Sequence, residues 1–204
     1  MILIGMLDSP YVRRVAIYMK VLGIEFEHRP LSVFSDFEAF TKLNPAVKAP
    51  TLITEDNQVL IDSTLIINYL GKYARRSYAQ TSASEAEELR DLHLTGFTLA
   101  ACEKAVQLVY EQHLRPLEKR HLPWVNRVTQ QLHGGWQTLE NGLRESHPDM
   151  LSVAGISIAV AWSFTELMLP DIVSRELYPE VASFTLLAEQ RTEFLAMPLI
   201  KENE

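Results

Sequence analysis

The chain has 204 residues and a formal net charge of −7, and 47% of its residues are hydrophobic. This length predicts one or two domains with a sizeable core, and the acidic charge argues against a nucleic-acid partner. The single cysteine, Cys102, excludes an internal disulfide framework, and the histidines show no metal-ligand spacing, so no metal is expected. The amino terminus lacks the basic start of a secretory signal, and we expect a cytoplasmic location.

The first part of the chain alternates between strand and helix patterns. We predict strands at 2–6, 26–31, 51–54 and 59–61, and helices at 10–22, near 36–43 and at 63–74. A β-α-β unit followed by a β-β-α unit is the order of a thioredoxin-like domain. Residues 77–83 lack periodicity and are rich in small polar residues, which is typical of a linker.

The remainder of the chain is predicted to be all helical. Ser84, followed by acidic residues, begins a long helix that ends at Pro116. Its apolar positions recur at spacings of three and four and predict one buried face, formed by Leu89, Leu92, Gly96, Leu99, Cys102, Val106 and Val109. Pro123 begins a second helix. A third, at 150–169, has the length of a membrane span, but its polar interruptions favour a helix buried at the centre of the helical domain.

Two short motifs predict a ligand site in the first part. Ala49-Pro50 begins a hairpin, and Asp62-Ser63 stands just before the apolar helical pattern at 65–70. Serine is a favoured helix N-cap, and a helix amino terminus attracts anions. The pattern therefore predicts an extended edge beside a helix start, where a peptide with a carboxylate can dock. The cations of this part suit an anionic peptide, namely Arg13, Arg14, Lys42 and Lys48.

Together with Asn44-Pro45 and with Ser9-Pro10-Tyr11 after the first strand, these motifs resemble the glutathione S-transferase superfamily. The resemblance implies an α/β thioredoxin-like domain at 1–76, followed by an all-α helical domain at 84–204. It also implies glutathione as co-substrate, a small electrophile as second substrate, and a homodimer that pairs the first domain of one subunit with the helical domain of the other. No nucleic acid, membrane or metal partner is expected.

The resemblance assigns Ser9 a catalytic role. Redox relatives have a cysteine in this loop, whereas serine-type transferases have a serine whose hydroxyl donates a hydrogen bond to the glutathione sulfur. The chain has Ser9-Pro10-Tyr11-Val12, without a thiol, so it cannot form a mixed disulfide with glutathione at this position. The alternative is that Ser9 is a plain helix N-cap, for which serine is equally suited.

The glutathione-binding residues implied by the resemblance are Lys48, Ala49, Pro50, Asp62 and Ser63. Pro50 would follow a cis peptide bond, and the backbone of Ala49 would pair with the cysteinyl part of glutathione. Ser63 would bind the γ-glutamyl carboxylate, Asp62 the α-amino group and Lys48 the glycine carboxylate. The alternatives are an ordinary edge-strand proline, a structural helix cap and a solvated lysine.

The sequence departs from the family pattern at two positions. Val47 stands where the family often has glycine, which leaves the path of this loop open. The third helix of the helical part opens in the family with Ser/Thr-x-x-Asp, a capping box. Here Ser152 is present, but Gly155 occupies the place of the aspartate. The expected consequence is a weaker helix start, since such a cap contributes about 1 kcal/mol.

Tyr11, Tyr110 and His113 are the candidates for contact with a second substrate. The predicted function is transfer of reduced glutathione to small electrophiles. Glutathione-dependent isomerisation and dehalogenation use the same activated thiolate and stay open as alternatives. A further alternative, from another class, is a protein-interaction module that has kept the fold without catalysis.

Overall fold

A computed structural model of the protein describes residues 1–75 and 84–199. The described residues form two compact units, one made of residues 1–75 with 191–199 and the other of residues 84–190. The segment 191–199, which the sequence pattern placed in the helical domain, thus belongs to the first unit. The linker predicted at 77–83 lies outside the described residues.

The first unit contains a four-stranded sheet with the order β2-β1-β3-β4. The strands are β1 (Ile2–Ile4), β2 (Glu27–Arg29), β3 (Thr51–Ile53) and β4 (Val59–Leu60). β1 pairs in parallel with β2 and antiparallel with β3, and β3 pairs antiparallel with β4. The helices are α1 (Pro10–Val21), α2 (Phe37–Leu43) and α3 (Ser63–Arg75). The predicted thioredoxin-like order is confirmed.

Helix α1 buries most of its residues. It packs on β1 and α3, and the apolar core around it includes Leu3, Ile4 and Leu52 from the sheet. Its buried residues are Pro10, Val12, Arg13, Arg14, Val15, Ala16, Ile17 and Met19. Two of these are arginines, and a buried cation is tolerated only when hydrogen bonds or opposite charges compensate its lost hydration.

Arg13 connects α1 to the carboxyl-terminal segment. Its Nε donates a hydrogen bond to the Met197 carbonyl oxygen at 2.8 Å, and its guanidinium lies 5.8 Å from the centre of the Phe194 ring. Phe194 is fully buried within the short helix α8 (Thr192–Leu195). These contacts explain why the segment packs on the first unit, although no periodic pattern in the sequence indicates it.

The second unit is helical, with α6 at its centre. Its helices are α4 (Glu85–His113), α5 (Leu122–Glu145), α6 (Val153–Met168) and α7 (Pro179–Ala188). α6 contacts both α4 and α7, and Trp162 meets Trp136 of α5 edge-on at 5.1 Å between ring centres. The predicted buried core helix is confirmed. Within residues 1–75 and 84–199, none of the helices has the length and apolar composition needed to cross a membrane.

A fully buried carboxylate, Glu140 of α5, holds the start of α7. One of its oxygens accepts hydrogen bonds from the backbone amides of Glu180 at 3.0 Å and Val181 at 3.1 Å, and the other accepts from Arg144 Nη2 at 2.9 Å. The first amides of a helix lack partners within the helix, so Glu140 acts as a cap supplied from a neighbouring helix. Burial and the Glu140 charge raise the pKa of the nearby Tyr178 hydroxyl.

The predicted buried face of α4 is partly wrong. Cys102 and Val109 are buried as predicted, but Leu89 and Leu92 are 68% and 65% exposed, and Gly96 is also exposed. The residues of α4 that the structure buries are Leu94, Thr98, Ala101, Cys102, Ala105, Leu108, Val109 and Glu111. Apolar residues recur on two sides of this long helix, and periodicity alone does not distinguish the covered side.

The structure explains why glycine occupies position 155, which the sequence pattern does not reveal. Ser152 caps α6, accepting a hydrogen bond from the Gly155 amide at 3.1 Å. A Cβ at position 155 would lie 2.2 Å from the Asp149 carbonyl oxygen and 2.8 Å from the Met150 Cα. The preceding turn therefore occupies the space that an aspartate side chain takes in a complete capping box.

We predict that Gly155→Asp destabilises the protein, although it restores the family pattern. An acidic residue in the first turn of a helix is ordinarily stabilising, but here the clash is with backbone atoms and is expected to cost about 3 kcal/mol. Ser152→Ala should cost about 1 kcal/mol through loss of the cap. Denaturant unfolding of both variants measures these effects, and a stabilised Gly155→Asp protein would contradict the steric explanation.

Candidate functional site

Three loop segments meet at one end of the sheet. Ile4, at the end of β1, pairs with Thr51 at the start of β3, and Leu60, at the end of β4, pairs with Leu52. Because antiparallel neighbours run in opposite directions, the ends of β1 and β4 lie beside the start of β3. Three segments therefore lie at this end of the sheet: the loop after β1, the loop before β3 and the residues after β4. These segments carry the motifs singled out in the sequence.

Gly5 allows the first two segments to approach each other. Its φ is +134°, a conformation that favours glycine, and a Cβ there would lie 2.5 Å from Val12 Cγ2 and 3.1 Å from Ala49 Cβ. The chain therefore leaves β1 at Gly5, so the strand is shorter than predicted. The loop leading to α1 lies in close contact with the segment that contains Ala49.

Ser9 occupies the N-cap position of α1 without acting as a side-chain cap. Its backbone is extended (φ −68°, ψ 120°), Pro10 begins the helix, and the Ser9 side chain makes no capping hydrogen bond. The Ser9 carbonyl oxygen accepts hydrogen bonds from the amides of Val12 and Arg13 at 3.1 and 2.9 Å. The helix therefore does not use the hydroxyl of the half-buried Ser9 as a cap. This argues against the alternative that Ser9 is a plain helix N-cap.

The segment before β3 is held by buried side chains. The Ala49-Pro50 peptide bond is cis, as the resemblance implied. Thr51 Oγ1 donates a hydrogen bond to the Lys48 carbonyl oxygen at 2.7 Å and accepts one from Asn44 Nδ2 at 2.9 Å. Pro50 is buried, whereas the Lys48 side chain is exposed. The hydrogen bonds of these buried side chains therefore fix the backbone of this loop, whereas the Lys48 ammonium lies in solvent.

Val47, at the position where the family often has glycine, has a positive φ, which favours glycine. Its φ is +46°, and its amide donates to the Asn44 carbonyl oxygen at 3.0 Å. The left-handed region costs a residue with a Cβ about 1–2 kcal/mol, and a β-branched side chain is especially unsuited to it. Val47 therefore carries backbone strain that a glycine at this position would not.

Asp62, not Ser63, caps α3. Asp62 Oδ1 accepts hydrogen bonds from the amides of Thr64 at 2.8 Å and Leu65 at 3.3 Å, and Ser63 is the first helical residue. The sequence interpretation of Ser63 as the N-cap is therefore wrong in this detail. Because the carboxylate already satisfies two free amides, the Ser63 hydroxyl is not needed as a cap.

Arg14 of α1 reaches the start of α3. Its Nη1 donates to Ser63 Oγ at 3.1 Å and to Thr64 Oγ1 at 3.4 Å, and Arg14 and Ser63 are only 2% and 3% exposed. The sequence indicates Arg14 as one of the cations of the first part but does not predict its contact with Ser63. In the local sequence, the buried position of Arg14 is indicated only by a pair of adjacent arginines within the otherwise apolar pattern of α1.

The second-substrate candidates lie in different units. Tyr11 is on the first turn of α1, whereas Tyr110 and His113 are near the end of α4. Tyr110 is 44% exposed and borders an open cavity of about 410 Å³, together with Trp124. His113 is exposed. In the described part of the chain, no cluster of three histidine, cysteine or acidic residues forms a metal site.

Similar proteins share this architecture. Residues 3–77 match the family described as "Glutathione S-transferase, N-terminal domain". The uncharacterized GST-like protein YibF of Escherichia coli (strain K12) is 26% identical over 161 residues, which are 78% of this chain and 79% of YibF. A glutathione transferase family member from Pseudomonas fluorescens Pf-5, solved with bound glutathione, is 26% identical with a TM-score of 0.81, covering 96% of this chain and 97% of the other.

A more distant structure supports the fold over the whole chain. The glutathione S-transferase of Methylobacterium radiotolerans, solved with glutathione sulfonate, has a TM-score of 0.87 at 20% identity, and the match covers 100% of this chain and 97% of that one. A thioredoxin-like domain followed by a helical domain is thus the architecture of this chain. Residues 3–77 therefore match a glutathione S-transferase amino-terminal domain, and the whole chain has the fold of glutathione transferases.

Proposed function

We propose that the chain binds reduced glutathione in its first unit and transfers it to small electrophiles. The observation that carries this proposal is the meeting of the segments around Ser9, Pro50 and Ser63 at one end of the sheet, with the Ser9 hydroxyl not used as a helix cap. A cytoplasmic location is part of the proposal, since the chain has a single cysteine.

The proposed pose places glutathione as an extended peptide along the segment before β3. The backbone of Ala49 pairs with the cysteinyl part, as an added strand would. The γ-glutamyl carboxylate binds at the start of α3 to the Ser63 hydroxyl, and the α-amino group binds Asp62. Lys48, whose side chain is exposed, swings to the glycine carboxylate.

The proposed chemistry is activation of the glutathione thiol. A thiol with a pKa of about 8.5 is only a few per cent ionised at neutral pH. Lowering that pKa by about 2 units makes most of it thiolate and requires about 2.7 kcal/mol of preferential stabilisation. The Ser9 hydroxyl donates a hydrogen bond to the sulfur, and the amino terminus of α1 adds a positive potential. The proton leaves to water, and the thiolate attacks the electrophilic carbon and displaces its leaving group.

Ser63→Ala is predicted to weaken glutathione binding by about 1.5–3 kcal/mol, because it removes a hydrogen bond to a charged group. Titration calorimetry with reduced glutathione measures the change. Ser35→Ala is the matched control, since Ser35 is an exposed serine of the same unit. Equal affinity of Ser63→Ala and the unaltered protein would remove Ser63 from the site.

Ser9→Ala is predicted to raise the pKa of bound glutathione by about 1–2 units, the equivalent of one hydrogen bond to a charged group. Ultraviolet titration of the thiolate in the complex measures this pKa. Ser9→Thr, which keeps a hydroxyl, should retain most of the effect. Identical pKa values for the Ser9→Ala and unaltered complexes would show that Ser9 does not stabilise the thiolate.

Two assays separate the proposed function from its alternatives. A glutathione-dependent reaction with an aryl halide supports transfer, whereas activity restricted to isomerisation or dehalogenation substrates would assign the same thiolate to another reaction. A protein that binds no glutathione in calorimetry would favour the interaction module. Tyr11, Tyr110 and His113 stay candidates for the second substrate.

We also propose that the chain forms a homodimer, because α4 carries an exposed apolar stripe. Leu89 and Leu92 are 68% and 65% exposed, and Phe97 is 39% exposed. Leu89 and Leu92, three residues apart, are neighbours on one side of the helix, and Phe97 lies about two turns beyond Leu89. Surfaces of this kind are typical of protein interfaces.

Leu92→Asp is predicted to yield a monomer, because a carboxylate would be buried without a partner in the interface. Light scattering after gel filtration should give about twice the chain mass of 23.2 kDa for the unaltered protein and one chain mass for Leu92→Asp. Leu186→Asp is the control, since Leu186 is 57% exposed on α7 and should leave the dimer intact. A monomeric unaltered protein would reject this assembly.

A further inference from the structure

We propose that Arg14 is a positioning residue for the γ-glutamyl carboxylate of glutathione, acting through the hydroxyl of Ser63. The inference deepens the proposed function and rests on it. Arg14 does not contact the ligand in this arrangement. It fixes the direction of the Ser63 hydroxyl and supplies positive charge behind the start of α3.

The donor and acceptor chemistry determines the direction of the hydroxyl. A guanidinium has only donors, so in the 3.1 Å contact Arg14 Nη1 donates and Ser63 Oγ accepts. With one lone pair of Oγ engaged, the hydroxyl proton points elsewhere and can be donated. A carboxylate at the start of α3 is an acceptor for that proton. The chain of donors then runs from Arg14 through Ser63 to the ligand, and each hydrogen bond polarises the next.

The capping of α3 leaves Ser63 available for this task. Asp62 already satisfies the amides of Thr64 and Leu65. A serine that capped the helix would accept from those amides with the same oxygen. The division between Asp62 and Ser63 lets one residue stabilise the helix start while the other is held by Arg14.

Burial makes the charge of Arg14 effective. Arg14 is 2% exposed, so its charge is less screened than that of a surface cation. Together with the amino terminus of α3 it favours an anion at this end of the sheet. Arg13 provides an internal comparison, because it is an equally buried neighbour on α1 whose Nε donates to the Met197 carbonyl oxygen.

The test compares glutathione with γ-aminobutyryl-cysteinyl-glycine, which keeps the terminal amine and lacks the α-carboxylate. Calorimetry gives the affinity ratio of the two ligands for the unaltered protein, expected to be about tenfold or more in favour of glutathione. Arg14→Met should lower this ratio about fivefold or more, and Arg14→Lys should lower it less because the charge is kept. Arg13→Met, the matched control, should lower thermal stability and leave the ratio unchanged.

A double-variant comparison separates positioning from general destabilisation. If Arg14 acts through Ser63, adding Arg14→Lys to Ser63→Ala should produce no further fall in the ratio. If Arg14→Met does not fold, the Arg14→Lys variant and this double-variant comparison still test the inference. Equal loss of affinity for both ligands, or an unchanged ratio in folded Arg14 variants, would overturn the inference while leaving glutathione binding intact. Failure of the unaltered protein to bind either ligand would overturn the proposed function and the inference together.

Discussion

The antiparallel pairing of β1 with β3 is the constraint on which the candidate site depends. It places the end of β1 beside the start of β3, and the pairing of β4 adds the segment that begins α3 to the same edge. A shift of this register by one residue would turn every side chain of the strand to the opposite face and would separate Ser9 from the segment at Pro50. Gly5 makes the close approach possible, since a Cβ there would overlap Val12.

The sequence predicts the order of the elements and the motifs that the structure brings to one end of the sheet. Strand and helix periods are local signals, and the motifs at Ser9, Pro50 and Ser63 each stand at the boundary of one element. The contact of Arg14 with Ser63 joins residues 49 positions apart, and no local pattern encodes it. Asp62 and Ser63 are both good N-caps, so only the hydrogen bonds distinguish the residue that caps α3.

The errors on α4 and at the carboxyl terminus have related causes. Leu89 and Leu92 follow a helical period, yet they are exposed, because periodicity identifies an apolar side without identifying what covers it. The segment 191–199 is attached to α1 by the Arg13 hydrogen bond and by packing of Phe194, which are contacts between distant parts of the chain. The sequence departs from the family pattern at Val47 and Gly155. Val47 has a strained positive φ, whereas the turn before Gly155 fills the space that a side chain at this position would need.

Three of the buried charged residues in the described part of the chain have hydrogen-bond partners of different kinds. Glu140 accepts backbone amides at the start of α7, and Arg13 donates to a backbone carbonyl of the terminal segment. Both residues connect elements of the fold. Neither the backbone amides that donate to Glu140 nor the carbonyl oxygen that Arg13 contacts has a further proton to donate. Arg14 instead donates to hydroxyls, and a hydroxyl that accepts a hydrogen bond still has its own proton to donate. A buried cation that served stability alone would be equally satisfied by carbonyl oxygens. In the proposed arrangement, these hydroxyl acceptors at the start of α3 connect the buried Arg14 to the anionic ligand.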